Sequence, residues 1–208
     1  MKRLPLLLSA IAGMVDLTGF LSLGKVFTAH VTGNLVLAAA DLSHGEQAST
    51  IQLLVVPTFA FAVGAAWLVA RVSRRHDRSP LRALLWCQFL LLACIVVSRS
   101  TAGVTAVIAA SAMGCQFALM RLELPGSPST AVMTGNVTDS VLALLDAIAS
   151  GRSSDRLKHS VQVLAGFTGG CVIAGFAVAW MKHGAWALPA SLAGVALFCR
   201  EREGSPPQ

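Results

Sequence analysis

A chain of 208 residues in which 55% are hydrophobic and only 12% are charged, with a mean hydropathy of +0.69, cannot clothe the surface of a soluble domain, where about 25% of residues are charged. Its charges are also clustered, so that stretches such as 51–70, 83–98, 100–120, 160–181 and 184–199 carry none. Uncharged apolar runs of this length are membrane spans. The net charge of +6 is what the orienting loops of a membrane protein accumulate. No basic, aromatic-rich domain is present to hold nucleic acid.

In chain order, Met1-Lys2-Arg3 ahead of Leu4–Ala12 has the outline of a signal peptide, but the apolar run resumes at Met14 and continues to Gly24. The expectation is an uncleaved first span over 4–24, carrying one acid, Asp16. Val26–Leu42 follows, apolar but interrupted by His30 and Asn34. Spans are expected over 51–70 and 81–98, separated by the basic loop 71–82, which anchors topology and contacts lipid phosphates. After a span over 102–120, the segment Ser129–Ala149 is apolar but holds Asn136, Asp139 and Asp146. Spans over 160–181 and 184–200 and a short tail, 201–208, complete one integral membrane domain, 1–208.

The charges choose between two layouts. If Val26–Leu42 and Ser129–Ala149 both cross, there are eight spans, and the sixteen Lys and Arg divide evenly between the two sides. If each segment enters and leaves on one side, there are six. Lys2, Arg3, Arg71, Arg74, Arg75, Arg78, Arg82, Arg121, Arg152, Arg156, Lys158, Arg200 and Arg202 then lie inside, against Lys25, Arg99 and Lys182 outside. Basic residues favour the cytoplasmic loops, so the six-span layout is expected, with both termini in the cytoplasm.

The two interrupted segments resemble one another. Thr28-Ala29-His30-Val31-Thr32-Gly33-Asn34 recurs as Thr130-Ala131-Val132-Met133-Thr134-Gly135-Asn136, and Asn34 and Asn136 are the only asparagines in the chain. Ala60-Phe61-x-x-Gly64 in the following span corresponds to Gly166-Phe167-x-x-Gly170, and small residues four apart let helix backbones approach closely in lipid. The repeated unit is span, motif segment, span, span, covering 4–98 and 102–200. Three spans per unit require the second copy to be inverted, the arrangement of transporters whose sites lie between the copies.

A segment that dips into the membrane must break, and lipid cannot satisfy the exposed backbone. Glycine permits the turn, and asparagine is a favoured N-cap. Each Thr-Gly-Asn is therefore expected to open a re-entrant half-helix whose positive end attracts an anion or polar solute. The candidate solute-binding residues are Thr28, Thr32, Gly33, Asn34, Gln116, Thr130, Thr134, Gly135 and Asn136. Asp16, an acid within a clean span, is the candidate coupling group, with His30 and Asp139 as possible relays. The comparable region of the second copy holds Gln116 and not an acid, so any titrating role would be lopsided between the repeats. The competing reading makes each triplet a packing and hydrogen-bonding device in a non-transporting scaffold or assembly subunit.

Other chemistry is sparse. No phosphate loop, nucleophile elbow or zinc-protease motif occurs, and one acid, one histidine and several threonines make no nucleophile with its base. The five cysteines are dispersed in apolar runs, which suggests neither a disulfide framework nor a metal site. No enzymatic activity, cofactor or metal is expected. The expected partners are membrane lipid and a small polar or anionic solute. A homo-oligomer is permitted and not required.

Gly13-Met14-Val15-Asp16, the run Phe27–Asn34, Ala112-Met113-Gly114-x-Gln116 and Met133-Thr134-Gly135-Asn136 resemble the YoaK-type family of bacterial inner-membrane proteins across nearly the whole chain. The resemblance implies a multi-pass bacterial membrane protein of about this size and names no activity. The chain departs from that pattern at Arg121-Leu122, where a more basic pair would be expected.

Overall fold

The computed structural model describes residues 3–45, 49–98, 100–127, 133–150 and 155–199, and every regular element among them is helical. The helices are α1 (Leu4–Ser22), α2 (Val31–Ser43), α3 (Thr50–Arg75), α4 (Pro80–Ser98), α5 (Ala102–Glu123), α6 (Met133–Ser150), α7 (Asp155–Met181) and α8 (Ala187–Leu197), with a 3-10 turn over Lys182–Trp186 between the last two.

Five apolar helical stretches among the described residues are long enough to cross a membrane: α1, α3, α4, α5 and Leu157–Leu197. The last is not straight, because Lys182 adopts a left-handed φ of 48°. His183 Nε2 donates to the Ile95 carbonyl near the end of α4 at 3.3 Å, and Gly194 faces the ring of Phe89, further back along α4. α8 therefore doubles back, antiparallel to α4. The segment expected over 184–200 is a helix of 11 residues, about 16 Å long at 1.5 Å per residue, too short by itself for a hydrocarbon core of about 30 Å. Neither α2 nor α6 meets the requirements of a span.

α1 and α7 run parallel at very close range. A Cβ on Gly13 would collide with the Phe167 carbonyl, one on Gly170 with the Ala10 carbonyl, and one on Gly166 would come within 2.8 Å of the Leu6 carbonyl. Ser9 Oγ donates to the Val163 carbonyl at 2.5 Å across the same seam. α3 and α5 form a second parallel pair, with Gly114 on α5 pressed against Phe59 and Ala62 and Arg74 paired with Glu123 at the far end. The small residues that α3 buries are Ala62, Ala66, Ala70 and Ser73. Gly64, expected to be a close-packing position, is exposed with nothing within 4 Å of an added Cβ. The stripe turns on a different helical face because α5, and not lipid, decides which face is covered.

Six helices thus alternate in direction, α1, α4 and α7 one way and α3, α5 and α8 the other. Arg3, Arg74, Arg75, Arg78, Arg82 and Arg121 lie at the end where α1 begins, and Lys25 and Lys182 at the opposite end.

The α1–α7 seam predicts a steep contrast within one helix. Gly13→Ala and Gly170→Ala should each destabilise the protein by about 1–3 kcal/mol through overpacking, whereas Gly169→Ala, with open space around it, should cost less than about 0.5 kcal/mol. Equilibrium unfolding in mixed micelles, followed by helical circular dichroism, measures all three.

Candidate functional site: a clamped segment at Asp16

The chain leaves α1 at Ser22, turns at Gly24 (φ 77°) and Lys25 (φ 62°), and runs back along the helix it has just left. Val26 and Thr28 lie against Gly19, where an added Cβ would come within 3.1 Å of the Val26 carbonyl. By residue 28 the segment is level with Asp16. Asp16 Oδ1 accepts from the backbone N–H groups of Thr28 and Ala29, each at 2.8 Å, and of His30 at 3.3 Å. Its Oδ2 lies 2.6 Å from His30 Nδ1.

Asn34 closes the other half of the segment. Its Nδ2 donates to the Phe27 carbonyl at 2.7 Å and its Oδ1 accepts from the Phe27 N–H at 2.9 Å, as a neighbouring strand would. Both groups of the Phe27 peptide and the next three N–H groups are thereby satisfied inside the protein. That is the condition for non-helical backbone at membrane depth. Phe27 stacks on Phe20 with ring centroids 4.8 Å apart, and a Cβ on Gly33 would lie 3.0 Å from the Phe27 ring. Gly33 therefore makes room for an aromatic ring.

This corrects the expected role of the triplets. α2 begins at Val31 and α6 at Met133, so Thr32-Gly33-Asn34 and Thr134-Gly135-Asn136 lie within the first turns of their helices. His30 occupies the N-cap position without a side-chain cap bond, and Gly24 makes the turn expected at Gly33. Asparagine can serve the backbone either as a cap or at longer range, and here the carbonyl and N–H left bare at Phe27 compete successfully for it.

The remaining predicted residues fall in several places. Thr28 is buried, its hydroxyl donating to the Val15 carbonyl at 3.4 Å. Thr32 and Thr134 are exposed and Gly135 is half-buried. Asn136 is buried, with Nδ2 3.8 Å from Met133 Sδ. Asp139 is half-buried and Asp146 exposed; Thr130 lies outside the described residues. α2 packs mainly on α3 and α6 mainly on α7, so the two triplets are not brought into one extended contact. Gln116 is buried away from both, its Nε2 donating to the Leu8 carbonyl at 2.9 Å and its Oε1 accepting from Gln88 at 2.6 Å.

Gln88 had not been singled out from the sequence, although a lone amide in the uncharged run 83–98 was a usable signal. Phe167 was noted only for helix packing, yet its ring also meets His30 edge-on with centroids 5.4 Å apart. Among the described residues, no cluster of His, Cys, Asp and Glu is arranged to hold a metal ion.

Helices of crossing length, packed through glycine and alanine around a buried acid, define a polytopic α-helical membrane protein. The chain belongs to the family described as "Protein of unknown function (DUF1275)", whose model matches residues 4–199. It is similar to the UPF0700 transmembrane protein YoaK of Bacillus subtilis (strain 168), with 32% identity over 155 residues. That match covers 70% of this chain and 66% of the relative, just under two thirds of the relative's length. The resemblance read from the motifs is thereby confirmed. No solved structure matches the chain.

Asn34→Ala should lower stability by about 1–3 kcal/mol, because it strands a half-buried carbonyl and N–H at Phe27. Asn34→Asp, which keeps an acceptor but loses the donor and adds charge, should be at least as damaging. Denaturant titration in micelles checks both, and a loss below about 0.5 kcal/mol for either would refute the clamp.

Proposed function

We propose that the protein is a secondary transporter or channel for a small polar or anionic solute in the bacterial inner membrane, with Asp16 and His30 as its coupling pair. The observation that carries this reading is their burial and contact: the Asp16 side chain is 5% exposed while the His30 side chain, 2.6 Å away, is 34% exposed. Intramembrane acids are costly and mark ion or proton pathways, and a half-open histidine gives a proton a route to a closed carboxylate. Protonating Asp16 would weaken its hold on the Thr28–His30 backbone and release the start of α2, so proton occupancy and helix position would be linked.

The packing pairs support two inverted units. Exchanging α1 with α5, α3 with α7, α4 with α8 and α2 with α6 turns the α1–α7 pair into α5–α3, α2–α3 into α6–α7, and α1–α8 into α5–α4. Each product is itself a packed pair. In this reading α2 and α6 are re-entrant, the basic end of the bundle and both termini face the cytoplasm, and the protein is not an enzyme. The scaffold reading has its own support, since every hydrogen bond of Asp16 and Asn34 described above closes within residues 27–30.

Reconstitution in liposomes containing a pH-sensitive dye separates the two. Wild type should move at least one solute of a panel of small anions, weak acids and neutral polar molecules. Asp16→Asn and His30→Gln should slow that flux about tenfold or more while still eluting as folded protein, and Thr58→Val, at a half-buried position on α3 away from both, should leave it unchanged. A wild-type protein that moves nothing across the panel establishes the scaffold instead.

A further inference from the structure

We propose that the end of the bundle where α5 begins carries a binding site for a small oxyanion, a phosphate or carboxylate group. A cavity of about 360 Å³ opens there between the end of α1, the start of α5 and the 3-10 turn, at the small end of the range for ligand pockets. Its polar lining comes from Ser22, Ser100, Thr105, Lys182 and His183, and no acid lines it.

Three features set its preference for negative charge. Lys182 supplies a cation, on a backbone held at a left-handed φ of 48° that lysine rarely adopts. The first turn of α5 starts at Ala102, which also lines the cavity, and its N-cap Thr101 makes no side-chain cap bond, leaving N–H donors and a positive dipole end at the wall. Thr105 is only 3% exposed yet lines the cavity, and its hydroxyl has no hydrogen-bond partner among the described residues. That hydroxyl is not among the fully buried unpaired side-chain atoms; it opens to the cavity, where it can donate to a bound group. His183 is pinned by its bond to Ile95, and Trp186, 1% exposed, backs the site.

A plainer role for Lys182 is to offset the C-terminal dipole of α7. That role accounts for the charge, but not for the cavity or for the unpaired hydroxyl of Thr105. The inference is independent of solute movement, because neither Asp16 nor His30 borders this cavity.

The test uses the full chain in phosphatidylcholine nanodiscs, with thermal unfolding measured in inorganic phosphate or succinate against chloride at equal ionic strength. Binding should raise Tm by on the order of 3 °C at saturating anion. Lys182→Gln and Thr105→Val should weaken the apparent affinity at least tenfold, with Thr105→Ser retaining it. Ser100→Ala, at a half-buried position, reads the site should the buried variants misfold, and should weaken affinity severalfold. Discs containing phosphatidylglycerol identify the source: loss of the free-anion effect there assigns the site to a lipid headgroup, and persistence assigns it to a soluble anion. No response in wild type, or an undiminished response in Lys182→Gln and Thr105→Val, overturns the proposal. A Lys182→Gln variant that loses stability but responds normally would leave Lys182 with the helix-dipole role alone.

Discussion

A carboxylate inside a helical bundle costs several kcal/mol unless its charge is met, and the first third of this structure is organised around how Asp16 meets it. Three consecutive backbone N–H groups and the His30 ring converge on its two oxygens. The compensation works both ways. Residues 27–30 are non-helical and run beside α1, where lipid would leave their peptides unsatisfied, and Asp16 and Asn34 supply the partners. The acid makes the broken segment tolerable, and the broken segment makes the acid tolerable.

That reciprocity depends on close helix packing. His30 can reach both Asp16 and Phe167 only because α1 and α7 approach until glycine is the sole residue that fits at positions 13 and 170. Without a hydrophobic force between helices in lipid, such backbone proximity and interhelical hydrogen bonds are the main source of association. Ser9 to Val163 and Gln116 to Leu8 are bonds of this kind. On the other parallel pair the same physics is written with alanine, with Ala62 against Gly114 and Ala66 and Ala70 buried further along α3.

Particular residues show how far the chain could be read without coordinates. Uncharged runs located α1, α3, α4, α5 and α7 to within a few residues, because excluding charge from hydrocarbon is a local, one-residue rule. Asp16, His30 and Asn34 stood out in the chain because polar groups in apolar segments are rare. Their partners were not, since nothing in the spacing reveals that the chain reverses at Gly24 and lays residue 28 against residue 16. The helix start at Val31 was missed for the same reason: Asn34 has equal chemistry as a cap or as a long-range clamp. Gly64 was misjudged because a small residue becomes an interface only if another helix covers that face. The short, folded-back α8 was hidden by a hydropathy pattern that a hairpin and a full span share.

By itself the sequence determined the class of protein, a multi-pass α-helical membrane protein, and the unequal placement of its basic residues, because both follow from transfer free energies that each residue contributes alone. The tertiary structure decided which polar groups meet, Asp16 with the Thr28–His30 backbone, Asn34 with Phe27, and Gln116 with Gln88 and Leu8, and it set Lys182 and Thr105 on the wall of one cavity. Those pairings rest on distances between segments remote in sequence, and a buried polar group is satisfied only where the whole chain has delivered its partner.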